Sequence, residues 1–175
     1  MSRLSWDSYF MALVKTAAMR SGCNSRPNGA LIVKNKRIVG VGYNGTVAGF
    51  PQCTDKGDKY CFRRNLELPE SEKHNYCPAV HAEANAIDYA GKNTIGATIY
   101  CTLFPCYPCL KRIKSAGIIE IVYEYAYESE NPERDKFWFD QAKEFGIDVR
   151  QYSIPVDIVE TICINLRTIT AKRRI

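Results

Sequence analysis

Two short stretches carry residue types that do chemistry together: His81-Ala82-Glu83 and Pro105-Cys106-Tyr107-Pro108-Cys109. One imidazole and two thiolates give a tetrahedral Zn²⁺ three ligands and leave its fourth position open for water, as catalytic sites do. Glu83 lies two residues past the histidine, close enough to handle that water's proton without being a ligand. The chemistry is hydrolytic: the metal brings the water's pKa toward neutrality, and a carboxylate moves the protons. A Cys-x-x-Cys pair alone fits a redox couple or a structural zinc clip as well; the His-x-Glu half argues for catalysis. The bland reading of Glu83 is an acidic residue stabilising the first turn of a helix.

Both halves fall where a strand or loop gives way to helical periodicity. Helix starts point free N–H groups and the positive end of the dipole at the ligands, which suits thiolates. Apolar spacing predicts helices over 5–20, with Ser5 as N-cap, over 80–90, 106–116 and 132–145, and a final one over 155–166. Gly91, Gly117 and Gly146 stand where three of these should stop. Strands are predicted at 30–34, 37–43, 97–102, 118–123 and 147–152, the first two joined by an Asn35-Lys36 turn. Between about 45 and 79 the pattern dissolves into Gly, Pro, Cys and charge, a stretch too long to stay ordered in a compact domain unless something cross-links it. The order implies a mixed sheet covered by helices, an α/β fold with no internal repeat.

With 175 residues, 46% hydrophobic and 25% charged, the chain reads as one globular domain over 1–175. No apolar run reaches the roughly 20 residues of a membrane span, and the acid-bearing N-terminus lacks a signal peptide's apolar region, so a cytoplasmic location is expected. The net charge of +5 is modest, and much of it lies in the tail from Arg167 to Arg174. That tail reads as a solvated terminus, with phosphate contact as the sharper alternative.

Eight cysteines in a chain of this length argue for reduced thiols and metal, not a disulfide scaffold. His74, the only histidine besides His81, stands three residues before Cys77. With Cys23 and Cys53 the pair would complete a closed Cys₃His site, and its metal would order the 45–79 insert in place of an apolar core. Cys61 rivals these for a ligand position; Cys101 and Cys163 read as packing residues. Inert buried thiols throughout is the alternative.

The two-part pattern His-x-Glu…Pro-Cys-x-x-Cys is the recorded signature of zinc nucleobase deaminases. With Cys23-Asn-Ser-Arg26-Pro-Asn-Gly29-Ala30, Gly42-Tyr-Asn-Gly45, Gly49-Phe-Pro-Gln-Cys53, His74-Asn-Tyr-Cys77 and the run from Tyr100 to Cys109, the chain resembles the deoxycytidylate (dCMP) deaminases up to about residue 150. The resemblance implies a cytidine-deaminase-like three-layer α/β/α fold with a central five-stranded mixed sheet. It implies hydrolysis of dCMP to dUMP and ammonia for thymidylate synthesis, a homo-oligomer (often a hexamer), and regulation by dCTP and dTTP in many members. It carries a catalytic zinc onto His81, Cys106 and Cys109, and a second zinc onto Cys23, Cys53, His74 and Cys77. It also places Tyr127, Asn44 and Ala82 against bound nucleotide; Arg26, by its charge and position, is a candidate phosphate contact. The plainer readings are a surface aromatic for Tyr127, a turn-former for Asn44 and a surface cation for Arg26. One position departs: members usually have Val before Gly-Ala, where this chain has Asn28.

Rival enzymes are a free-nucleoside cytidine deaminase, a tRNA adenosine deaminase and the deaminase half of a riboflavin-pathway enzyme. Gly-Tyr-Asn-Gly and the Cys-rich insert count against all three. A non-catalytic, zinc-stapled nucleic-acid-binding module would use the basic tail but gives Glu83 no task.

Overall fold

The computed structural model describes residues 3–127 and 131–168, without the side chains of residues 70, 71, 74, 167 and 168. In chain order the elements are α1 (Trp6–Ala18), β1 (Gly29–Lys34), β2 (Arg37–Tyr43), β3 (Gly45–Thr46), α2 (Glu70–Lys73), β4 (Ala79–Val80) and α3 (Ala82–Ala90). They continue with β5 (Thr98–Leu103), α4 (Tyr107–Ser115), β6 (Glu120–Tyr125), α5 (Pro132–Glu144), β7 (Asp148–Gln151) and α6 (Val156–Thr168).

Five strands form one mixed sheet in the order β2-β1-β5-β6-β7. Strand β1 runs antiparallel to β2 and β5, while β5, β6 and β7 run parallel. Asn35 and Lys36 both have positive φ (50° and 60°), the primed two-residue turn whose twist matches the β1–β2 hairpin. Along each strand the side chains alternate between two cores, as the pleat requires. Ala30, Ile32, Ile99, Cys101, Ile121 and Tyr123 face α3, α4 and α5. Leu31, Val33, Tyr100 and Val122 face Phe10, Met11 and Val14 of α1, with Ile158 of α6 against the same core. The architecture is the three-layer α/β/α sandwich expected from the sequence.

Ser5 caps α1, its Oγ accepting from the Ser8 N–H at 3.1 Å. The start of the helix is tied to the far strands. The Tyr100 hydroxyl donates to Asp7 (2.7 Å), and Arg150 grips Asp7 with two nitrogens (2.8 and 2.9 Å) while its Nε reaches Glu120 (2.9 Å).

The 45–79 segment is more ordered than its sequence suggests. A two-residue ladder, β3 with β4, pairs Gly45 with Val80 and closes its base, so the helix expected from residue 80 begins at Ala82. Asn24 Nδ2 donates to the Gly57 and Tyr60 carbonyls (2.8 and 3.0 Å), and Arg64 donates to Ser25 Oγ (3.1 Å). Such non-local clamps leave no periodicity for a sequence reading to detect. Cys163 departs from its packing role and lies exposed on α6, whereas Cys101 is buried as expected. Among the described residues no helix is long and apolar enough to cross a membrane. The basic tail beyond residue 168 lies outside the described residues.

Candidate metal centre

His81 and Cys106 occupy equivalent places: each is the extended N-cap residue of a helix, α3 and α4 respectively. Glu83 follows in the first turn of α3, and Cys109 in the first turn of α4 with Pro108 at its start. The start of α3 is set by the close approach of that helix to β2, and the start of α4 by the end of β5 three residues before Cys106. A Cβ on Gly42 would come within 2.2 Å of the Ala82 carbonyl oxygen, and one on Gly40 within 2.5 Å of that of Ala86. Small residues on both sides, with Ala82, Ala86 and Ala90 buried, allow the backbones to touch.

The His81 Nδ1 atom lies 3.3 Å from Cys106 Sγ and 3.4 Å from Cys109 Sγ. All three donor atoms fall within 4.8 Å of one another, the group of three or more that meets this spacing among the described residues. Both cysteines are buried and His81 is exposed, so the cluster is reached from the histidine side. The Cys109 thiol and the His81 ring hold the Cys106 thiol down at about 4, and the Cys106 sulfur lifts the imidazole to about 9. Hydrogen bonding to the Cys106 sulfur, with burial behind it, pushes the Cys109 thiol well up. A divalent cation displaces such protons and balances two thiolates, so the donor set fits Zn²⁺. Burial above all, and the Cys106 charge after it, raise the buried Glu83 carboxyl, which suits a group that must hold a proton and release it.

The sequence placed Asn44, Ala82, Tyr127 and Arg26 against a substrate. Ala82 is buried under the first turn of α3. Asn44 is buried and clamps the loop before β1. Its Oδ1 accepts from Ser21 Oγ (2.6 Å) and the Asn28 N–H (2.8 Å), and its Nδ2 donates to the Arg26 carbonyl (2.9 Å). Its side chain thus sets the path of residues 21–28. Arg26 and Tyr127 meet, the guanidinium carbon 5.1 Å from the ring centroid, and Tyr127 packs edge-on with Trp138.

A cavity of about 440 Å³ lies beyond the carboxyl ends of β5 and β6, lined among others by Lys15, Arg26, Asn28, Thr102, Glu124 and Tyr125. Lys15 holds both oxygens of the buried Glu124 at 2.8 Å. The sequence reading missed this pair.

Of the second set, Cys53 and Cys61 are buried and Cys23 and Cys77 half-buried. Burial raises the Cys53 thiol, the Phe62 N–H opposes that, and Cys23, Cys61 and Cys77 lie near enough to raise it further. No three of these sulfurs meet the 4.8 Å spacing. The His74 side chain lies outside the described residues.

Residues 4–125 match the model of the cytidine and deoxycytidylate deaminase zinc-binding region. The deoxycytidylate deaminase of Saccharomyces cerevisiae is 39% identical over 153 residues, covering 86% of this chain and 46% of that protein. That of Mycobacterium phage D29 is 42% identical over 129 residues, 70% of this chain and 97% of the phage protein. The chain thus spans about half the length of the fungal relatives it matches and nearly all of the phage one. Among solved structures, the dCMP deaminase of cyanophage S-TIM5 in complex with dCMP and dUMP superposes with a TM-score of 0.64 at 26% identity, over 87% of this chain and all of that one.

Proposed function

The chain belongs to the cytidine and deoxycytidylate deaminase family, and from that membership we propose that it hydrolyses dCMP to dUMP and ammonia. The observation that carries the reading is the convergence of His81, Cys106 and Cys109 with a buried Glu83 on paired helix starts. The names of the yeast and phage relatives, and the nucleotides bound by the cyanophage enzyme, support dCMP as the substrate.

His81 Nδ1 and the Cys106 and Cys109 sulfurs would hold Zn²⁺, which would supply a water activated for attack near neutral pH. Glu83 takes a proton from the attacking water, delivers it to N3 of the pyrimidine, and then protonates the departing amine at C4. One water is consumed; the C4 carbonyl of uracil and one ammonia appear. Asn44 keeps residues 21–28 in place, and Arg26 with Tyr127 contacts the nucleotide, the guanidinium on its phosphate. Residues 1–175 act as one deaminase domain. The 45–79 insert is stapled by a second, structural zinc on Cys23, Cys53, His74 and Cys77. The same reading takes in a cytoplasmic homo-oligomer supplying dUMP for thymidylate synthesis and answering to dCTP and dTTP.

An ammonia-release assay over dCMP, CMP, deoxycytidine and adenosine, repeated with dCTP and dTTP, tests this. Turnover fastest on dCMP is expected. Near-equal kcat/KM for dCMP and deoxycytidine would make the enzyme a nucleoside deaminase, and turnover of adenosine alone would overturn the pyrimidine reading.

A further inference from the structure

We propose that Asn28 is a specificity-determining residue whose amide nitrogen donates to a phosphate oxygen of the bound nucleotide. This deepens the dCMP reading and rests on it. Asn28 is held from three sides. Its N–H donates to Asn44 Oδ1 (2.8 Å), its carbonyl accepts the Asn44 N–H (3.2 Å), and its Oδ1 lies 3.3 Å from Thr102 Oγ1. Thr102 Oγ1 already accepts the Gly29 N–H (3.1 Å), so its hydroxyl proton is the one available to Asn28 Oδ1.

That assignment fixes the orientation of the amide. The oxygen is committed to Thr102, and Nδ2, with no partner among the described residues, stays free at the wall of the 440 Å³ cavity that Asn28 lines. A donor fixed by backbone on one side and a hydroxyl on the other loses little entropy on meeting a ligand.

The cavity walls select the ligand atom. Glu124 is neutralised by Lys15, whose ammonium bonds both of its oxygens. Among the described residues no carboxylate pairs with Arg26, which rests on the Tyr127 ring. The Arg26 guanidinium and the Asn28 amide N–H are both donors, and together they fit an anionic oxygen. The cavity lies beyond the carboxyl ends of β5 and β6, where ligands of such sheets lie, and the chain runs from Leu103 on its wall, the last residue of β5, into Cys106 at the cap of α4.

The test compares Asn28→Val and Asn28→Asp in the full-length zinc-loaded enzyme, with dCMP, CMP and deoxycytidine as substrates and circular dichroism to check folding. Asn28→Val removes the donor. Asn28→Asp keeps the shape and the Thr102 bond but turns a negative oxygen toward the phosphate. Asn28→Val should raise KM for dCMP about tenfold with kcat nearly unchanged, as expected for a lost hydrogen bond to a charged group. Asn28→Asp should raise it about a hundredfold, and kcat/KM for deoxycytidine should stay within about threefold of wild type for both.

Equal losses on dCMP and deoxycytidine would make Asn28 structural and overturn the assignment. So would a changed dCMP-to-CMP ratio with an unchanged dCMP-to-deoxycytidine ratio, which would place the amide on the sugar. Failure of the underlying reading looks different: wild-type enzyme would then show no preference for dCMP over deoxycytidine, and the proposal would fall with it.

Discussion

Gly42 lies directly against Ala82: a side-chain carbon on the glycine would stand 2.2 Å from the Ala82 carbonyl oxygen and 2.4 Å from the Ala86 nitrogen. The helix that carries His81 at its cap and Glu83 in its first turn is seated by that contact. Gly42→Ala must therefore lift α3 from the sheet. Overpacking of this kind costs about 1–3 kcal/mol, and a displacement of about 1 Å in a catalytic group costs about a hundredfold in rate. Urea denaturation and kcat should both fall. Val41→Ala, on the exposed side of β2, is the control and should change neither by much. A Gly42→Ala enzyme with wild-type stability and turnover would show that α3 is seated otherwise.

The order of the main elements along the chain and the helix boundaries were largely legible because burial imprints a period. Ala82, Ala86 and Ala90 recur at helical spacing, and the alternation of Ala30 and Ile32 with Leu31 and Val33 is that of a strand covered on both faces. The metal donors were legible because His81 with Glu83, and Cys106 with Cys109, are each set by local spacing at a helix start. The clamp of Asn44 on Ser21, Arg26 and Asn28 was not, since it joins residues as far as 23 positions apart through pairing of β1 with β2. The β3–β4 ladder is too short to carry any period, so the order of the insert was invisible.

Glu83→Gln should abolish turnover and keep the metal. The amide has nearly the same shape and is no ligand, but it cannot take up and release a proton. A loss of about 10²–10⁴-fold in kcat is expected, the range for a general acid–base, with zinc content by atomic absorption unchanged. Activity within about tenfold of wild type would remove Glu83 from the proton path. Loss of zinc together with activity would make it part of the metal's coordination.

Acid stability should depend on Asp7. Hydrogen bonding from Arg150 above all, opposed by burial, holds the Asp7 carboxyl below its usual range. A group with a lowered folded-state pKa stabilises the fold fully above its unfolded value, about 3.9, and that contribution is lost as pH falls through the folded value. Asp7→Asn should then cost about 1–2 kcal/mol at pH 6, within reach of a partly exposed bidentate pair, and progressively less below pH 4. Urea midpoints for both proteins from pH 6 to pH 3 give the difference directly. A gap that stayed constant to pH 3 would mean that the Asp7 charge contributes nothing.

Metal analysis should return two zinc ions per chain from protein purified without chelator, and Cys53→Ala should return one. The insert from 45 to 79 contributes little apolar surface to either core, so a metal supplies folding free energy there that packing cannot. With Cys53 lost, thermal stability should drop and limited proteolysis should cut between residues 45 and 79, while His81, Cys106 and Cys109 keep the catalytic zinc. Cys61 decides the ligand set. It is buried, and it lies with Cys23 and Cys77 near enough to act on the Cys53 thiol. Removal of the second zinc by Cys61→Ala but not by His74→Ala would make the site a four-cysteine one. A stoichiometry of one zinc that Cys53→Ala leaves unchanged would mean that these thiols hold no metal, and that the clamps from Asn24 and Arg64, with the β3–β4 ladder, are what order the insert.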